Sequence, residues 1–202
     1  MRVKYLTTTP RQTKKLGEIL AKEVLKTKLK KGALIIGLEG DLGGGKTTFL
    51  QGFAKGLGIK NKILSPTFVI IKKFPITELP KEMKVKMRTK SSLPSKGRRA
   101  DGVQFSNFYH IDCYRIKKPK EILDLGFKEI VKNPENIVAI EWAEKIRKTI
   151  PREAVWIKFE FIDKTARKIV LKWNNNQRGI GLIIIDSNSI LLFIGPIMPH
   201  IV

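Results

Sequence analysis

Gly40-Asp41-Leu42-Gly43-Gly44-Gly45-Lys46-Thr47 is a complete G-x-x-x-x-G-K-[ST] pattern, and the residues on either side of it decide how it is read. It stands between a strand-like apolar run at 33–39 and a helix-like run at 47–57, the setting in which such a loop holds phosphate. Glycines free the backbone to wrap a chain of phosphates. The amides from Gly43 to Thr48 then point inward at the positive end of the following helix. The pattern alone arises by accident in roughly 1% of chains this long, and its flanks lower that figure, so a glycine-rich turn with no ligand is the weaker reading. The stretch predicts an α/β fold of the P-loop NTPase kind, a mixed, mainly parallel sheet flanked by helices, with a nucleoside triphosphate on residues Asp41, Leu42, Gly43, Gly44, Gly45, Lys46, Thr47 and Thr48.

Working upstream, residues 3–6 read as a short strand, and Thr9-Pro10-Arg11-Gln12 as a helix start with Thr as cap and Gln closing a capping box. Leu16, Ile19, Leu20 and Val24 mark one apolar helical face. Downstream, Phe49, Phe53, Ala54 and Leu57 form the buried face of the helix leaving the loop, and Gly58 suits its end. Strands are predicted at 68–71 and 105–111, and an amphipathic helical stretch at 121–131 is interrupted at Gly126. The continuous apolar run 137–140 reads as a buried central strand. Segments 154–161 and 168–173 alternate like antiparallel strands around the turn at 163–166.

With 202 residues, 42% of them apolar, the chain suffices for one α/β domain, placed at 1–173. Within it, residues 75–103 carry eight Lys/Arg against three Asp/Glu and few apolar side chains, the composition of a mobile basic loop. Residues 174–202 form a C-terminal extension; the polar run Asp186-Ser187-Asn188-Ser189 breaks its apolar stretch, which favours a hairpin over a membrane span. The formal net charge of +22 predicts attraction to nucleic acid or another polyanion at low salt, although lysine-rich solvated faces give the same number. The single cysteine, Cys113, excludes an internal disulfide, and no apolar stretch of signal-peptide length follows Met1, so the expected setting is the cytoplasm.

A phosphate loop needs partners for Mg²⁺, for the γ-phosphate and for the attacking water. Lys46 is expected to reach the β- and γ-phosphates, and the Thr47 hydroxyl to ligate Mg²⁺. Glu141 follows four apolar strand residues in the Walker B manner, and Asp112 follows Phe108-Tyr109-His110-Ile111 in a comparable place. Two strand-end carboxylates beside one Mg²⁺ would divide metal ligation, direct or through water, from positioning of the attacking water, in an order the sequence leaves open. Thr67, in Ser65-Pro66-Thr67, is placed to sense the γ-phosphate as a switch threonine does. The run Asn61-Lys62-Ile63-Leu64 lacks the acid of a guanine-reading element, so ATP is favoured over GTP.

These pieces together resemble the TsaE family, the small P-loop ATPases of bacterial tRNA threonylcarbamoyladenosine synthesis. The resemblance is carried by 40–49, Ser65-Pro66-Thr67-Phe68, Tyr109-His110-Ile111-Asp112-Cys113-Tyr114-Arg115, Leu125-Gly126 and Ile140-Glu141-Trp142, in that order. It implies weak ATP hydrolysis by the chain alone and a partnership with TsaB and TsaD, which carry the transfer to tRNA. It also implies nucleotide and Mg²⁺ on Lys46 and Thr47, the hydrolysis or metal role on Asp112 and Glu141, and γ-phosphate sensing at Thr67. Tyr114, Arg115 and Trp142 fall in the matching motifs. Two other functions fit the residues less well. One is a small-molecule kinase using Arg98 and Arg99 as a lid, and the other a basic RNA-binding module with the nucleotide as its switch.

Overall fold

Seven strands form one sheet in the order β1-β7-β6-β2-β5-β4-β3 in the computed structural model, which describes residues 2–27, 29, 31–65, 70–77 and 104–173. The strands are β1 (Arg2–Thr7), β2 (Leu34–Glu39), β3 (Ile71–Pro75), β4 (Asn107–Asp112), β5 (Asn136–Glu141), β6 (Val155–Phe161) and β7 (Arg167–Lys172). The helices are α1 (Pro10–Val24), α2 (Lys46–Gly56), α3 (Pro119–Asp124) and α4 (Phe127–Lys132), with a 3-10 segment at Ala143–Thr149. The four central strands β6, β2, β5 and β4 run parallel, and the antiparallel pairings β6–β7, β7–β1 and β3–β4 lie outside them. The sheet is therefore mixed, with its parallel part at the centre. Every residue of β5 is buried, as a strand covered on both faces requires.

Each face of the sheet has its own core. On one face α1 and α2 pack over Leu38, Phe108, Phe159 and Ile169, with Phe49 edge-on to Phe159 at 5.6 Å between ring centroids. Burying such a Phe completely stabilises the fold by roughly 2–3 kcal/mol. On the other face α3, α4 and the 3-10 segment cover Ile35, Ile111, Val138 and Ile140 through Ile122, Phe127 and Ile146.

The helix α1 begins where its sequence predicts, with Thr9 Oγ1 accepting from the Gln12 amide at 3.2 Å. The Gln12 side chain reaches back one residue further than a capping box, to the Thr8 amide at 2.6 Å. Leu16, Leu20 and Val24 are buried as expected, while Ile19 lies at the edge of the face and is half-buried. The helices α1 and α2 touch backbone to side: a Cβ at Gly52 would fall 1.8 Å from the Lys14 carbonyl oxygen, and one at Gly17 2.2 Å from that of Phe49.

Two expectations are corrected. Of the strand predicted at 68–71, residues 68 and 69 lie outside the described residues; Ile71 opens a strand that runs on to Pro75, paired antiparallel with β4 so that Phe74 faces Phe108. It is the sheet's edge, and its exposed Lys72 and Lys73 hide it from an apolar-run reading. Pro75 ends this strand where its missing N–H harms no ladder, and Ile76 is buried with its amide on the Ser106 carbonyl oxygen at 2.8 Å, so the basic loop starts later than 75. The helical stretch at 121–131 is interrupted at Gly126 as predicted: two short helices, each of six residues, flank it, with Gly126 at φ +79° between them. The remainder of the basic loop, 78–103, and the extension 174–202 with its expected hairpin lie outside the described residues. Among the described residues no helix is long and apolar enough to cross a membrane.

Candidate functional site

The turn from β2 into α2 is built on backbone that side chains resist. Gly40 has φ +130° and lies so close to β6 that a Cβ there would be 2.3 Å from the Phe159 carbonyl oxygen. Gly45, at φ +97°, is the N-cap of α2 and contributes no side-chain cap, leaving the first amides of the helix facing the loop's interior. Gly44 N–H donates to the Asp41 carbonyl oxygen at 3.1 Å and closes the turn, whose outer residues Asp41, Leu42 and Gly43 are exposed, while Thr48 is half-buried on the first turn of the helix.

Lys46 lies within this turn. It is 4% exposed, and its Nζ donates to the carbonyl oxygens of Gly40 at 2.6 Å and Asp41 at 2.9 Å. The same ammonium stands 3.9 Å from the ring centroid of Trp142. Burial lowers its pKa below the ordinary lysine value, and the charges of Glu141, Glu144, Asp112 and Asp41 work against that fall.

The carboxylates arrive from the carboxyl ends of β4 and β5. The parallel register sets Asp112 directly opposite Glu141. The Thr47 hydroxyl lies 3.0 and 2.9 Å from the two Glu141 oxygens, and His110 Nε2 lies 2.9 Å from Glu141 Oε1. Glu141 is thus held from two sides while 2% exposed. Asp112 accepts from Ser65 Oγ at 2.5 Å and from the Tyr114 amide at 2.8 Å. Trp142 follows Glu141 at φ +57°, the only positive φ outside glycine among the described residues. That conformation costs of order 1–3 kcal/mol, and it lays the indole over Lys46 and 5.1 Å from the Tyr114 ring.

The fold therefore brings together Lys46, Thr47, Asp112 and Glu141 of the predicted set, whereas Thr67 lies outside the described residues. Its oxygen-only donors, a hydroxyl and two carboxylates, suit a hard cation such as Mg²⁺. Among the described residues no group of three or more His, Cys, Asp or Glu side chains could hold a metal ion. Other residues at the site had no sequence signal naming their partner. His110 and Ser65 meet their carboxylates only through strand pairing and loop path. Arg167, from β7, donates through Nε and Nη2 to the Gly43 carbonyl oxygen at 3.3 and 3.0 Å, and through Nη1 to those of Asp163 and Ala166 at 2.7 and 2.8 Å. Its guanidinium also covers the Phe161 ring at 4.7 Å. No local pattern reports a contact across 124 positions.

The chain matches the family described as "Threonylcarbamoyl adenosine biosynthesis protein TsaE" over residues 7–85 and 98–169. It is 32% identical to the tRNA threonylcarbamoyladenosine biosynthesis protein TsaE of Bacillus subtilis, covering 87% of this chain and 88% of that one. To the Haemophilus influenzae protein of the same name it is 29% identical, over 78% of this chain and 80% of that one. Among solved structures, the crystal structure of YdiB from Bacillus subtilis superposes with a TM-score of 0.55 at 26% identity, covering 88% of each chain.

Proposed function

The chain belongs to the TsaE family of tRNA threonylcarbamoyladenosine biosynthesis proteins, and from that premise we propose that it is a Mg²⁺-dependent ATPase that binds and resets the TsaB–TsaD complex. The observation that carries the reading is the convergence of Lys46, Thr47, Glu141 and Asp112 at the mouth of one glycine turn. Reaction on tRNA, through that complex, fits a cytoplasmic setting.

In this reading the turn's amides and the α2 N-terminus bind the phosphate chain, and Lys46 exchanges its two carbonyl partners for β- and γ-phosphate oxygens. Thr47 and Glu141 hold the Mg²⁺, directly or through water, since the hydroxyl and carboxylate already point at one another. When bound, the ion neutralises charge on the phosphate oxygens. His110 keeps the Glu141 carboxylate turned toward Thr47. Asp112, fixed by Ser65 and the Tyr114 amide, orients the attacking water from the next strand. Thr67 is assigned γ-phosphate sensing on its position in the Ser65-Pro66-Thr67 motif. The Trp142 indole over Lys46 excludes water from the ammonium.

The test is ATP hydrolysis by the full chain with and without its cognate TsaB–TsaD pair, run beside threonylcarbamoyl transfer to tRNA over several turnovers. Slow hydrolysis alone, altered by the pair and coupled to repeated transfer, is the expected result. Hydrolysis indifferent to the pair would overturn the reading and direct the search to a phosphoryl acceptor.

A further inference from the structure

One loop leaves β4 at Cys113 and another leaves β5 at Trp142, and the two are tied together twice. At their base the Cys113 amide donates to the Glu141 carbonyl oxygen at 3.0 Å, continuing the pairing of β4 with β5. Further out the tie is a side chain. Lys145, in the first turn of the 3-10 segment, donates through Nζ to the Tyr114 carbonyl oxygen and to that of Ile116 at 3.3 Å. Its own amide donates to the Trp142 carbonyl oxygen at 3.1 Å, so the ammonium is carried on the turn that Trp142 opens. The Tyr114 ring centroid lies 5.4 Å from the same Nζ. Lys145 is an exposed residue, yet its charge is committed to two carbonyls and a ring face, all on one turn that the Ile116 amide closes on the Cys113 carbonyl oxygen at 3.1 Å.

Tyr114 in turn holds two parts of the site. Its amide donates to Asp112 Oδ1 at 2.8 Å, and its ring lies 5.1 Å from that of Trp142, whose indole covers Lys46. We propose that Lys145 is a positioning residue for ATP hydrolysis, fixing through Tyr114 both the Asp112 carboxylate and the Trp142 indole, a role that rests on the ATPase reading and deepens it. Tyr114 is 52% exposed, so packing alone does not hold it, and the positive φ of Trp142 is a conformation its surroundings must impose. Two hydrogen bonds from a charged donor to the 114–116 turn supply that constraint, and they are stronger than neutral bonds of the same length. The effect falls on chemistry more than on binding. The glycine turn and Lys46 hold the phosphate chain and have no bond to Lys145, whereas orientation of the attacking water by Asp112 is lost with a shift of about 1 Å.

The experiment compares the full-length wild type with Lys145→Ala, Lys145→Arg and, as a control on the same segment, Lys148→Ala. ATP hydrolysis is measured with the chain alone and with the TsaB–TsaD pair, the nucleotide Kd by titration, and the Tyr114 amide by hydrogen exchange, which needs no turnover. Lys145→Ala is expected to lower kcat about tenfold with Kd within about twofold of wild type. Its Tyr114 amide should exchange at least about fivefold faster while the amides of β4 and β5 keep their protection. Lys145→Arg should recover kcat to within about threefold, because a guanidinium can also donate to both carbonyls, and Lys148→Ala should match wild type. Unchanged kcat and unchanged Tyr114 exchange in Lys145→Ala would overturn the proposal, since the loops would then hold one another without the lysine. So would an equal loss of kcat and of nucleotide affinity that arginine does not rescue, with faster exchange throughout β4 and β5, which would reduce Lys145 to a support of the fold. A wild type that hydrolyses no ATP, alone or with the pair, would overturn the ATPase reading itself and this role with it, and the Tyr114 exchange would still report whether Lys145 ties the loops.

Discussion

Arg167 shows how a single side chain ties the phosphate loop to an otherwise distant part of the fold. Its fork makes two bonds to the Gly43 carbonyl, and two more to its own hairpin hold the fork in place. With that carbonyl fixed, the same peptide's N–H, that of Gly44, keeps its bond to the Asp41 carbonyl oxygen and the turn stays closed, so Arg167 is a positioning residue for the nucleotide rather than one that touches it. Arg167→Ala is expected to weaken nucleotide binding about tenfold, the equivalent of one or two neutral hydrogen bonds, and to leave kcat nearly unchanged. Arg167→Lys should recover little of this, because an ammonium cannot reproduce the fork. Nucleotide titration and steady-state kinetics check it, and an unchanged Kd in both variants would show that the glycine turn holds itself. At this scale the sequence announces what is local. Gly40 to Thr47 is a contiguous pattern, and Glu141 and Asp112 follow apolar strands, so both were found from neighbours along the chain. Arg167, Ser65 and the His110 contact depend on strand order and register, which no run of adjacent residues encodes.

Elements came through where one face repeats. The strands β2, β5, β6 and β7 announce themselves by continuous or alternating apolar residues, whereas β3 carries only Ile71 and Phe74 inward, too few to mark it as a strand as far as Pro75. The 3-10 segment after Trp142 had no signal, since its two buried residues, Ala143 and Ile146, are too few to set a period. The pairing of α1 with α2 was likewise hidden, because it depends on glycines that a periodicity scan counts as breaks. Gly52→Ala should therefore destabilise by about 3 kcal/mol, since the methyl group meets main-chain atoms of Lys14 that cannot rotate away. Denaturant unfolding reads it directly, and a loss under about 1 kcal/mol would mean the helices can part. Glu18, ion-paired with Lys15, Lys22 and Lys55, adds a pH signature to the same pair of helices. Burial raises the Glu18 pKa, but hydrogen bonds from Lys22 and Lys55 and the charge of Lys15 outweigh it, leaving the folded value below the usual carboxylate value. The unfolded chain then binds the extra proton first as pH falls, so the stabilisation is complete above about pH 5 and lost through the folded pKa. Glu18→Gln is expected to cost roughly 1 kcal/mol or less at neutral pH, because the lysines remain partly solvated, and to cost progressively less as pH falls through the folded pKa. A pH-independent difference would assign the effect to packing.

Across the whole molecule the site lies where the parallel strands end, and the layers on both faces meet there. The loop packs on β6 through Gly40, is gripped from β7 by Arg167, feeds α2 over one core, and faces Trp142 of the segment that covers the other. The sequence identified this architecture only in outline: a central parallel sheet was implied by two buried apolar strands beside a phosphate loop, but its antiparallel flanks, β1 and β3, are fixed by pairings that nothing nearby in the chain specifies. Because both cores converge on the loop, a ligand held there restrains the domain as a unit and not one loop alone. Saturating Mg²⁺ with a non-hydrolysable ATP analogue at about 100 times its Kd should add about 2.7 kcal/mol to the folded state, which for a domain of this size raises Tm by about 5–10 °C. The rise should appear as one transition in both calorimetry and far-UV circular dichroism. Lys46→Ala removes the buried ammonium between the loop carbonyls and should abolish the rise while leaving the unliganded melt cooperative. A ligand-induced rise that survives Lys46→Ala would place the nucleotide elsewhere, and a rise confined to one of two separate transitions would show that the cores on the two faces of the sheet melt independently.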